Sequence, residues 1–156
     1  MTLALVLFAA TAARAEEFCG QVVGVQDGDT LTVREDGGES LRIRLWGIDA
    51  PERRQPFSNA AKKHLSALAF GKTVRVLVRD QDRYGRTVAV IVLPDGRNLN
   101  EEMVRDGFAW WFRKYAPYEC TLERLETEAK DAGLGLWAEP QAVPPWEYRK
   151  SAKHRD

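Results

Sequence analysis

The sequence has no excess of charge of either sign: 23 Lys and Arg meet 23 Asp and Glu among 156 residues. That excludes the simplest nucleic-acid binder, a strongly basic domain whose overall field gathers phosphate at long range. A uniform apolar run of about 18 residues is also missing, which excludes a helix that spans a bilayer. There are only two cysteines and two histidines. The cysteines allow at most one intramolecular pair, and His64 and His154 stand in no motif that would make them ligands or bases. What is present is 44% hydrophobic and 10% aromatic residues. That is too apolar for a disordered chain and suits one soluble globular domain.

Residues Thr2 to Ala13 are small or apolar and uncharged, and Ala13-Arg14-Ala15 closes the run with the small-x-small pattern of a signal-peptidase site. Residues 1–15 therefore read as a secretory signal peptide, although no Lys or Arg follows Met1. The mature part would be a single domain over 16–156, exported to the periplasm or secreted, monomeric and without a membrane anchor. Export changes the expectation for Cys19 and Cys120, because thiols outside the cytoplasm pair more often than they ligate metal. Their disulfide would close a loop of about 100 residues, worth about 4–5 kcal/mol in the chain-entropy account.

From Gln21 to Leu45 the pattern is strand-like, with Val22, Val23, Val25, Leu31, Val33, Leu41, Ile43 and Leu45 separated by Asp-Gly and Asp-Gly-Gly turns. Three antiparallel strands on short turns satisfy it. Ala61, Leu65, Leu68 and Ala69 then recur at helical spacing before Gly71, a C-cap glycine. Two more strands are expected over 73–78 and 87–93. Asn100 is expected to cap a helix ending at Gly107, and Thr121 another ending at Gly133. This order predicts an α+β fold: a five-stranded Greek-key barrel of the OB type with three packed helices. From about residue 139 the proline-rich tail is expected to run extended with its aromatics docked.

Three clusters can carry chemistry. Asp27-Gly28-Asp29-Thr30 lies between the first two strands, Arg44 precedes Asp49-Ala50-Pro51-Glu52, and Asp82-Arg83-Tyr84-Gly85-Arg86 turns into the fifth strand. Each alone is an ordinary turn or loop. Together they supply what phosphodiester hydrolysis needs. Asp29, Asp49 and Glu52, with a backbone carbonyl, can hold a hard cation such as Ca²⁺. Glu52 can activate water, directly or through the metal's shell. Arg44 and Arg86 offer planar guanidinium forks for the charged transition state.

In this order the motifs resemble the thermonuclease family, typified by staphylococcal nuclease. The resemblance runs collinearly from about Val22 to Trp137 and includes the later Asn-x-x-x-Val-Arg-x-Gly helix. It implies an OB-type barrel with three helices and Ca²⁺-dependent cleavage of DNA and RNA that leaves 3′-phosphate ends. By position it implies Asp29, Asp49 and the Ala50 carbonyl as calcium ligands, with Glu52 at the metal and as base. Arg44 and Arg86 become the phosphate clamp. Ala50 replaces a typical Thr, a change a carbonyl ligand tolerates. The family's substrate-contacting turn matches Arg83 and Tyr84, and Tyr115 is the counterpart of a ring at the nucleotide site in a rewritten segment. Trp110 and Trp111 read as packing residues.

Two other classes compete: a non-catalytic OB-type domain that binds nucleic acid or a partner, and a structural envelope protein. The complete set Asp29, Arg44, Asp49, Glu52 and Arg86 favours the enzyme. Charge is unevenly placed as well. Lys72, Arg75, Arg79, Arg83 and Arg86 lie on or beside the strands nearest the expected phosphate site, and Arg149, Lys150, Lys153 and Arg155 lie in the tail. Acids crowd the last predicted helix. A neutral chain can therefore still hold a locally basic cleft.

Overall fold

Alternation decides which way each strand faces. In the computed structural model, which describes residues 16–153, Val22 of β1 (Glu17–Val25), Leu31 and Val33 of β2 (Thr30–Glu35), and Ile43 and Leu45 of β3 (Ser40–Leu45) are buried at every second position. The same period buries Val74 and Val76 in β5 (Thr73–Gln81) and Ala89 and Ile91 in β6 (Thr87–Val92). Period-two burial is what turns a sheet into a lined wall. The five strands close a barrel in the order β1-β2-β3-β6-β5. Every pairing is antiparallel except β3 with β6, which is parallel and sets Arg44 beside Val88. A short pair, β4 (Ile48–Asp49) with β7 (Trp110–Trp111), is added outside the barrel.

Helix α1 (Ser58–Ala69) buries Ala61, Leu65 and Ala69, a four-residue repeat along one face. Helix α2 (Leu99–Arg105) starts two residues earlier than expected. Its cap is Asn98, which accepts from the backbone N–H groups of Asn100 and Glu101. Asn100 is instead buried, donating to the Trp46 and Ala89 carbonyls and accepting from the Ile91 N–H. It ties α2 to the barrel rather than ending the helix. Helix α3 (Cys120–Asp131) likewise begins before Thr121, which falls in its first turn. Trp110 and Trp111 are buried, as packing residues should be, and the Trp111 N–H donates to buried Glu126.

Two expectations need correction. The tail is not extended throughout: α4 (Pro145–Lys153) is a fourth helix, and the stacked rings of Trp146 and Phe112 dock it. A proline at the first helical position has no N–H to satisfy and a φ already suited to a helix, so Pro145 starts α4 instead of preventing it. Cys19 and Cys120 are free, exposed thiols, and the expected bridge is not formed. Cys19 sits in the β1–β5 wall opposite Arg75, while α3, which begins at Cys120, packs mainly on α2. The signal peptide expected over 1–15 lies outside the described residues.

Candidate active site

The site is assembled where β2 and β3 leave the barrel wall. The turn before β2 presses on Ala50 and α1 so closely that a Cβ on Gly28 would stand 2.7 Å from the methyls of Ala50 and Ala61. Only glycine permits that approach. The turn is then fixed by Asp29, whose carbonyl accepts from the Leu45 N–H at 2.8 Å and whose Oδ2 accepts from the Ala50 N–H at 2.7 Å. Thr30 Oγ1 donates to Asp29 Oδ1. Because Thr30 pairs with Arg44 across β2 and β3, Asp29 meets the arginine head. Arg44 Nη1 lies 2.7 Å from Asp29 Oδ2, and Nη2 donates to Asp49 Oδ1 at 2.9 Å.

These carboxylates are deeply placed, with Asp29 6% and Asp49 1% exposed. Burial pushes the Asp49 carboxyl above its ordinary value, and repulsion from Asp29 adds to this against hydrogen bonding and charge from Arg149 and charge from Arg44. Burial, then Asp29, raises Asp27 to about 6. The floor of the site thus holds neighbouring carboxylates that resist being charged together. Arg44 relieves this in part, but its buried Nη1 has no acceptor in hydrogen-bond geometry.

The opposite rim is the turn between β5 and β6. Parallel closure of β3 on β6 brings this turn to the cleft that Arg44 lines. Asp82 organises it, accepting from the backbone N–H groups of Tyr84 and Arg86 and from Arg86 Nε at 2.6 Å. Burial raises the Asp82 carboxyl, but these bonds and the Arg86 charge together hold it below the ordinary value. Arg83 donates to the Tyr84 hydroxyl, with its guanidinium carbon 4.9 Å from that ring's centre. Tyr84 is 69% exposed. Tyr115, also exposed, meets Phe112 edge to face.

Glu52 comes from a loop held in an unusual backbone path, with positive φ at Arg54 and Phe57. Gln55 between them accepts from the Glu52 N–H and donates to the Val143 carbonyl at 2.6 Å, tying the loop to the tail. The Glu52 side chain is met by Arg149 of α4, whose Nη1 donates to Glu52 Oε1 at 2.5 Å and Nη2 to Asp49 Oδ2 at 2.8 Å.

Asp27, Asp29, Arg44, Asp49, Glu52, Asp82, Tyr84, Arg86, Tyr115 and Arg149 border one cleft of about 1720 Å³. Asp29, Arg44, Asp49, Ala50, Glu52, Arg83, Tyr84, Arg86 and Tyr115, every residue picked from the sequence for metal, phosphate or substrate, line it. Lys72, Arg75 and Arg79, expected near the phosphate site, do not. Their place in the basic lining is taken by residues such as Lys62, Arg113, Lys114 and Arg149, which the sequence motifs did not single out. Arg149 had one legible signal: Pro145 at the start of a helix, with Trp146 and Arg149 three apart on one face.

Among the described residues no three His, Cys, Asp or Glu side chains converge tightly enough to ligate one ion. The donor chemistry nevertheless suits a hard divalent cation. Asp29 and Asp49 are oxygen donors, buried and mutually repelling, and a cation between them would remove the cause of that repulsion. Glu52 is the third acid, within one guanidinium's width of Asp49 because Arg149 bridges the two.

The family described as "Staphylococcal nuclease homologue" matches residues 42–139. The chain is 40% identical to Protein ParB of Escherichia coli, with 89% of this chain and 83% of that protein covered. It is 39% identical to a micrococcal nuclease of Shigella flexneri, covering 88% and 84% respectively. An uncharacterized endonuclease of Haemophilus influenzae is 38% identical, with 97% and 84% covered. Fold, collinear motifs and these likenesses agree that the chain belongs to the staphylococcal nuclease homologue family.

Proposed function

We propose that the protein is a Ca²⁺-dependent endonuclease that hydrolyses phosphodiester bonds of DNA, RNA or both and leaves 3′-phosphate ends. The observation that carries this reading is the meeting of Asp29, Arg44, Asp49, Glu52 and Arg86 on the walls of one open cleft. Relatives named micrococcal nuclease and endonuclease support the reaction class.

Asp29, Asp49 and the Ala50 carbonyl would hold the cation, with Glu52 at its edge. When bound, the cation supplies Lewis-acid stabilisation of a phosphate oxygen. Arg44 and Arg86 face the same phosphate from the floor and the rim, so charge gathering on the non-bridging oxygens meets two fixed guanidinium groups. Glu52 takes a proton from the attacking water as its oxygen bonds to phosphorus. The bond to the 5′-oxygen breaks, and that oxygen leaves protonated from solvent. Arg83, Tyr84 and Tyr115 contact the strand, and the exposed rings of the two tyrosines can stack on any base. Backbone clamping of this kind reads no sequence. The small-x-small site at Ala13-Arg14-Ala15 supports export to the periplasm or the medium.

The test is end-group analysis of products from separate DNA and RNA digests in Ca²⁺. The expected fragments carry 5′-hydroxyl and 3′-phosphate ends. Fragments with 5′-phosphate ends would overturn the assignment of the bond broken.

A further inference from the structure

Helix α4 lies beyond the 42–139 segment that matches the family, yet it delivers a cation into the centre of the carboxylate cluster. Three contacts seat it. Trp146 stacks on Phe112 with ring centres 5.3 Å apart and planes 2° from parallel, the Val143 carbonyl accepts from Gln55, and Arg149 ion-pairs with both Asp49 and Glu52. Arg149 Nη2 donates to Asp49 Oδ2, while Nη1 donates to Glu52 Oε1 and, at 3.4 Å, to Asp49 Oδ1, so the guanidinium stands between Asp49 and Glu52. With Arg44 on Asp49 Oδ1, both oxygens of Asp49 already face a guanidinium.

Charge explains the arrangement. Asp29, Asp49 and Glu52 would bring three negative charges to the floor, and Arg44 offsets one of them. Arg149 offsets a second from a side chain that is still 40% exposed and rooted on α4. A divalent cation held by Asp29, Asp49 and the Ala50 carbonyl, with Glu52 at its edge, would draw on the same Asp49 and Glu52 oxygens that Arg149 holds. Two cations cannot share that position, so ion binding must work against the Arg149 contacts.

We propose that Arg149 is an internal competitor for the divalent-cation site, and that α4 is a displaceable arm which sets the free-cation concentration at which the enzyme becomes loaded. The inference rests on the reading of Asp29, Asp49 and Glu52 as the cation site. The contact with Trp146 gives the arm its resting position, and loss of either Trp146 or Arg149 lowers the cost of cation entry.

The test is calorimetric titration of the full chain with CaCl₂ alone, without nucleic acid, for wild type, Arg149→Met and Trp146→Ala. Met keeps much of the arginine stem and removes the charge. Removing the two internal ion pairs should tighten Ca²⁺ binding by about tenfold in Arg149→Met, and loosening the arm should do so to a lesser degree in Trp146→Ala. In parallel, hydrogen exchange of the α4 amides should quicken in wild type when Ca²⁺ is added, as the arm leaves its seat. Equal or weaker Ca²⁺ binding by Arg149→Met, with wild-type binding measurable, overturns the competitor role and leaves the cation site standing. Unchanged α4 exchange on Ca²⁺ binding also overturns it. If neither wild type nor Arg149→Met takes up Ca²⁺, the cation-site reading fails first and the competitor role falls with it.

Discussion

The two guanidinium groups proposed to clamp phosphate live in opposite surroundings. Arg44 is set in the barrel wall with its head between two buried carboxylates, whereas Arg86 rides on a turn and answers to one partly exposed aspartate of the same turn. The floor is a tertiary product: Asp29, Arg44 and Asp49 come from separate segments and hold one another. The rim is local, closed within Asp82 to Arg86 by bonds that need no other part of the chain. The floor therefore joins stability to chemistry, while the rim can be changed for chemistry alone.

The largest effect should come from Glu52, which a separate loop brings to the floor. Glu52→Gln keeps the shape, removes the base and should lower turnover about 10²–10⁴-fold with an unchanged melting temperature. Steady-state digestion and a thermal melt check this, and near-normal turnover would remove Glu52 from the role of base. Arg44→Ala should lower turnover about 10²-fold and also cost about 3 kcal/mol of stability, because it strips buried carboxylates of their partner. Arg86→Ala should lower turnover by a similar factor but shift stability by less than about 1 kcal/mol. Urea unfolding of the pair tests the contrast. Equal losses of stability would break it.

The smallest effect concerns pH. Asp82 is held below the ordinary carboxylate value in the folded chain, so its contribution to stability is present above the unfolded value near 3.8 and is lost as pH falls through the lower folded value. Asp82→Asn should remove that part of the acid-side loss while leaving stability at neutral pH only slightly reduced. Melting curves from pH 2 to pH 7 for the variant and wild type provide the comparison, and identical acid-side slopes would contradict it.

The barrel was legible because alternation at Leu31, Val33, Ile43 and Leu45 is a local signal that the closed sheet only amplifies. Rim residues were legible for the same reason, since Asp-x-Tyr-Gly-Arg encodes its own turn. Positions such as Asn100 were misread because their role is fixed by distant carbonyls at Trp46 and Ala89, which no local cap rule contains. Arg149 was visible only as one basic residue in a tail. Its place between Asp49 and Glu52 spans about a hundred residues of sequence and depends on how Trp146 seats on Phe112. The cysteine pair was argued from compartment alone, and compartment says nothing about where β1 and α3 lie in the fold.

The central claim is that this cleft hydrolyses nucleic acid with the help of a divalent cation held by its acids. Its most direct test is nicking of supercoiled plasmid by the purified protein in millimolar Ca²⁺, followed by addition of a chelator. The account predicts nicking that begins with Ca²⁺ and stops with the chelator. Nicking that continues in chelator, or none in Ca²⁺, would contradict it.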